Sequence, residues 1–135
     1  MSREALPDVD GHKCWLMKME MPPMISNRSL VNTYYHSERP DGTIVFLNSS
    51  QGNDSMHEQL ADKIGSDVIA NNICTQTSYK PCEDGVGVHL TVLVSVDVAG
   101  MIPGFIKNKI AGRLANMGLI VVDYLKDGTV PEAVF

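Results

Sequence analysis

The sequence predicts an α+β domain of two layers, an antiparallel sheet covered on one face by a long terminal helix. Three observations predict it. Residues 88–98, VHLTVLVSVDV, alternate between apolar and polar side chains, the period of a strand with one face buried. Beyond Pro103, the apolar residues Ile106, Ile110, Leu114, Met117, Val121 and Leu125 recur at spacings of three and four, the period of an amphipathic helix. Finally, 135 residues of which 44% are hydrophobic suffice for one core without metal or disulfide support.

Residues 12–21, HKCWLMKMEM, alternate as a strand with Trp15, Met17, Met19 and Met21 on one side and Cys14, Leu16 and Lys18 on the other. Pro22 and Pro23 end it, because neither can donate to a ladder. A second extended run, 28–36, leads through the turn residues Pro40-Asp41-Gly42 into a third, 43–50, as a hairpin. The stretch 53–65 changes period. Ser55 and Glu58 stand as a capping box, Met56, Leu60 and Ile64 form a stripe, and Gly65 can end the helix. This helix reads either as a mobile lid between Gly52 and Gly65 or as a connector whose apolar side caps the core.

Residues 67–80 are rich in β-branched side chains, and Asp84-Gly85 turns the chain into the strand 88–98, whose valines face the core while His89, Thr91, Ser95 and Asp97 face water. Gly100 bends the chain out of the sheet, and Pro103 suits a first helical turn. The helix is expected to run about 22 residues, roughly 33 Å. Gly112 and Gly118 each weaken it by about 1 kcal/mol against Ala, so it must owe its stability to packing.

Composition also excludes functions. A net charge of −5 gives no general attraction to nucleic acid. The three cysteines lack CxxC spacing, which argues against a zinc site and for a reducing, cytoplasmic setting. No run reaches about 18 apolar residues, and the polar start lacks a signal-type apolar core. There is no HExxH and no GxSxG. His89 and Asp97 share a strand face roughly 26 Å apart, too far for a dyad. No catalytic residue, metal or cofactor is therefore expected.

The pattern Met21-Pro22, then Ser26-Asn27-Arg28 ahead of a strand, then Asp97, Gly100, Ile102 and Pro103 ahead of the last helix, resembles the START (steroidogenic acute regulatory protein-related lipid transfer) domain. The likeness runs from about residue 12 to residue 125. It implies a helix-grip fold, in which a curved antiparallel sheet wraps a long C-terminal helix around an apolar tunnel for one lipid. It also implies binding, transfer or sensing of a sterol, phospholipid or similar lipid without chemical change, and transient contact with a membrane.

Residues 1–135 are read as one such domain, lacking the family's N-terminal helix and first strands and so beginning near the middle of the sheet. That leaves an open edge able to pair with a second copy. The acid–arginine pair of sterol-binding members falls on Trp15 and Tyr34 here, and Ser29 stands where the family's Asn-Arg-Asp motif has its Asp.

The resemblance places Trp15, Met17, Met19, Leu30, Tyr34 and Val94 on the sheet wall of the tunnel, facing Phe105, Ile106, Ile110 and Leu114 on the helix. On periodicity alone, the methionine-rich strand face reads as ordinary core, and the resemblance is what raises the lipid-lining reading to equal weight. Lys107, Lys109 and Arg113 give the helix a basic side, either a membrane-docking surface or a merely solvated one. The other reading of the whole chain is an interaction module with a collapsed tunnel, dimerising through its open edge.

Overall fold

The computed structural model describes residues 2–116, except the side chains of Arg113 and Leu114. Its sheet begins one strand earlier than the sequence pattern suggested. Strand β1 (Ser2–Val9) pairs antiparallel with β2 (His12–Met19) through a two-residue turn in which Asp10 and Gly11 both have positive φ, 51° and 79°. Such turns match the twist of the flanking strands and favour Asp-Gly. Pro7 is tolerated because β1 is an edge strand whose register shifts between Leu6 and Val9.

From β2 the sheet continues through β3 (Arg28–Glu38), β4 (Ile44–Ser49), β6 (Asn71–Pro81) and β7 (Val88–Asp97), all antiparallel in the spatial order β1-β2-β3-β4-β6-β7. The run 67–80, expected as a single strand, is divided. Val68–Ile69 forms β5, parallel to the start of β3, before the chain turns at the buried Ala70 into β6. Ser29 Oγ fastens this crossing by donating to Asp67 Oδ2 at 2.6 Å.

Between β4 and β5 lie two short helices, α1 (Asp54–Gln59) and α2 (Ala61–Ile64), with the break at Leu60. The expected capping box is not formed. The helix starts at Asp54, after Asn53, and Asn53 does not cap it. That side chain donates instead to the Val31 carbonyl at 2.9 Å and to Thr33 Oγ1 at 3.1 Å, tying the helix to the sheet. The stripe of Met56, Leu60 and Ile64 packs as its spacing predicted. Ile64 joins Cys14, Leu16 and Val31 in the buried core, and Met56 and Leu60 cover them. The helices therefore serve one face of β2 and β3, the face opposite to Met17 and Met19.

The other face is served by α3 (Gly104–Ala115). Ala99 and Gly100, with φ of 51° and 70°, turn the chain out of the sheet ahead of it. Ile102 and Ile106 are buried and Ile110 is half-buried, an inner ridge at a spacing of four. The expected continuation through Met117, Val121 and Leu125 lies outside the described residues, as do the side chains of Arg113 and Leu114. None of the described helices is long and apolar enough to cross a membrane.

Candidate lipid-binding site

Register sets one face of β2, β3, β4, β6 and β7 on a common side of the sheet, the side on which Ile110 of α3 lies. Met17 sits opposite Leu30, Tyr34 opposite Asn48, Asn48 opposite Thr75, and Thr75 opposite Val94. Side chains directly opposite across a ladder project to the same side, so this row spans the sheet. Val94 and Val96 are half-buried while Ser95 and Asp97 are exposed, the expected alternation of β7.

Among the described residues, the two layers leave a gap. A cavity of about 170 Å3 lies between them, with Met17, Met19, Leu30 and Val94 on the sheet side and Ile110 on the helix side. Val96 and Val98 extend the apolar wall. Two further hollows flank α3. One is bounded by Met19, Met21, Pro22 and Lys109, the other by Val96, Val98 and Lys107, and Ile110 borders both.

Six residues expected on the wall thus line the cavity: Met17, Met19, Leu30, Tyr34, Val94 and Ile110. Ile106 is buried but borders the hollow next to Met21 and Pro22. Trp15 does not line the cavity; the Arg3 guanidinium from β1 lies 4.9 Å from its ring centroid, a cation–π contact supplied by the strand not anticipated. Phe105 is turned outward at 73% exposure, because it stands one residue, about 100° of helix, from the ridge residue Ile106. Lys107 and Lys109 are both exposed.

Three asparagines missed from the sequence form the cavity floor. Asn72 Nδ2 donates to Asn48 Oδ1 at 2.7 Å and to Asn32 Oδ1 at 3.1 Å, and its Oδ1 accepts from Thr75 Oγ1 at 3.0 Å. Asn32 Nδ2 reaches Asn48 Oδ1 at 3.4 Å and Met17 Sδ at 3.2 Å. A bulge in β6 makes this possible. Its register shifts between Asn72 and Cys74, so Asn72 and Thr75, three residues apart, share a face.

Charge is directed away from the cavity. Lys18 Nζ turns to the opposite face, donating to the Lys63 carbonyl and lying 3.6 Å from Asp67 Oδ2. Arg28 is buried with its guanidinium on the carbonyls of Ser26, Val98 and Ala99. Among the described residues, no carboxylate lines the cavity. Burial raises the Tyr34 phenol above its ordinary value, which keeps it an O–H donor throughout the neutral range.

The described residues thus border a mainly apolar cavity beneath a helix, with a few polar side chains at its floor, a lining of the kind that suits hydrophobic ligands. Neither protein-family models nor curated protein sequences match the chain. Among solved structures it is similar to human StAR-related lipid transfer protein 5, at 17% identity and a TM-score of 0.64 over 84% of this chain and 53% of that one. It is similar to human STARD10 at 16% identity and a TM-score of 0.64, over 88% of this chain and 46% of that one. The lipid transfer and protein localization domain of human StarD13 matches at 16% identity and a TM-score of 0.59, over 78% and 51%.

The chain therefore has the fold of StAR-related lipid transfer domains, as the pattern around Arg28 and Pro103 implied. It spans about half the length of the solved chains it matches.

Proposed function

We propose that residues 1–135 form one START-type domain that binds a lipid beneath its terminal helix and carries or senses it without chemical change. The observation that carries this reading is the apolar space that the described residues leave between the β7 valines and Ile110. That space supports a carrier over the other reading, an interaction module with a collapsed tunnel. The names of its structural neighbours, lipid transfer proteins, point the same way.

In this reading the helix begun as α3 continues along its predicted stripe and completes a helix-grip arrangement. Because Ile110 borders the cavity and both flanking hollows, its displacement joins them into one channel. Each methylene buried there contributes about 0.8 kcal/mol, so an acyl chain is held chiefly by apolar contact. Lys107 and Lys109, at the rims of the flanking hollows, face an anionic membrane during exchange.

The test is extraction of the purified protein followed by mass spectrometry, with Ile110→Trp as the comparison. Wild type is expected to carry a stoichiometric lipid. Ile110→Trp, which fills the cavity, is expected to carry none while unfolding at nearly the same temperature. Absence of lipid from wild type, together with no uptake from vesicles, overturns the reading.

A further inference from the structure

From the cavity floor we infer the chemical class of the ligand: a neutral lipid whose buried polar group is a hydrogen-bond acceptor, such as an ester or ketone carbonyl. This rests on the lipid-binding reading above and adds to it what the polar residues select. Asn48 Oδ1 accepts from both Asn72 Nδ2 and Asn32 Nδ2. Turning the Asn48 amide over would set its NH2 against two other NH2 groups, so the network holds the oxygen inward.

That leaves Asn48 Nδ2, two N–H donors with no hydrogen-bond acceptor among the described residues, on a half-buried side chain that lines the cavity and is open to it rather than sealed in the core. Two neighbouring donors are only weakly satisfied. Tyr34 O–H reaches Met17 Sδ at 3.7 Å, and Asn32 Nδ2 reaches the same sulfur at 3.2 Å. A thioether is a poor acceptor. The floor therefore holds a surplus of donors around Met17, Tyr34 and Asn48, with the apolar wall of Leu30 and Val94 beside it.

An acceptor oxygen placed there gives these donors a better partner than the thioether supplies. At the cavity floor an anionic headgroup is disfavoured, because Arg28 is engaged on three carbonyls and Lys18, which borders the cavity, turns its ammonium to the far face, while Lys107 and Lys109 stand at the rims of the flanking hollows. A charge buried without a partner is strongly penalised. A cationic headgroup finds no carboxylate on the lining among the described residues. Shape alone would accept any slender lipid; the surplus donors prefer an uncharged carbonyl.

The experiment is displacement of a fluorescent fatty-acyl probe from delipidated full-length protein by methyl dodecanoate, by a linear alkane of the same length, and by dodecanoate anion. The ester is expected to compete about tenfold better than either, the difference one hydrogen bond makes. Asn48→Leu is expected to remove the ester's advantage while alkane binding stays within about twofold. Should Asn48→Leu fail to fold, Tyr34→Phe tests the same donor set and is expected to reduce the advantage severalfold.

If wild type binds ester and alkane equally, the inference is overturned and lipid binding stands. Tighter binding of the anion, or an ester advantage that survives both substitutions, also overturns it. If neither the acyl probe nor any competitor binds, the lipid-binding reading itself has failed.

Discussion

Arg28 Nε donates to the Val98 carbonyl at 2.9 Å, joining the first residue of β3 to the residue after β7, seventy positions later. Its Nη2 donates to the Ala99 carbonyl at 2.9 Å, and Nη1 donates to the Ser26 carbonyl. A guanidinium only 2% exposed must be hydrogen-bonded to be tolerated, and its rigid fork fits three carbonyls at once. The segment it holds is the one from which α3 departs.

Removing this side chain leaves three carbonyls unpartnered and a void beside them. Arg28→Ala is expected to lower unfolding stability by about 3 kcal/mol, read as a lower urea midpoint at unchanged slope. Arg28→Lys is expected to restore only part, since an ammonium cannot serve all three carbonyls in the same geometry. An Arg28→Ala midpoint equal to wild type would show that the contact adds nothing.

Gly100 lies against the same guanidinium. Its φ is 70°, and an added Cβ would come within 3.3 Å of the Arg28 NH2 group. Gly100→Ala is expected to cost about 2 kcal/mol, combining left-handed backbone strain with displacement of the guanidinium. Gly11→Ala, at φ 79° with open space around it, should show the backbone cost alone, about 1 kcal/mol. A double-mutant cycle of Arg28→Ala with Gly100→Ala should be less than additive; strict additivity would mean the two do not touch in solution.

His57 makes stability depend on pH. The Val31 N–H donates to its Nε2 at 3.2 Å, which requires that nitrogen to be unprotonated. Burial depresses the imidazole below its ordinary value of 6.5, with Asp54 acting weakly the other way. Below pH 6.5 the unfolded chain thus takes up a proton that the folded chain refuses, and stability falls as pH drops from there toward the folded pKa. Denaturant midpoints measured between about pH 7.5 and 5 should fall more in wild type than in His57→Gln, which cannot titrate. Parallel pH profiles for the two proteins would count against it.

The strongly periodic elements were legible in the sequence. The alternation of β7 and the stripe Met56, Leu60, Ile64 gave correct faces because burial on one side imposes a period. Strand β1 was not legible, since an edge strand exposed on both sides has no such pattern and Pro7 reads as a breaker; Asp10-Gly11 was the available signal. Asn32, Asn48 and Asn72 belong to three strands and meet only through their register and the bulge after Asn72. A lone asparagine in a strand reads as solvent-facing, and no periodicity announces a bulge.

The end of the sheet closed by Arg28 also presents large apolar side chains to solvent. Met101 is 99% exposed at the entry to α3, Phe105 is 73% exposed in its first turn, and Lys107 and Lys109 follow. Apolar groups that can insert beside lysines that can meet anionic headgroups are what peripheral membrane contact requires, because each lysine contributes only about 1 kcal/mol. Flotation with vesicles containing anionic lipid should therefore recover the protein. Replacing both lysines with glutamine should weaken partitioning about thirtyfold and flatten its salt dependence. Phe105→Ala should weaken it at every salt concentration, because its contribution is apolar burial. Partitioning that ignores both changes would place the docking surface elsewhere on the molecule.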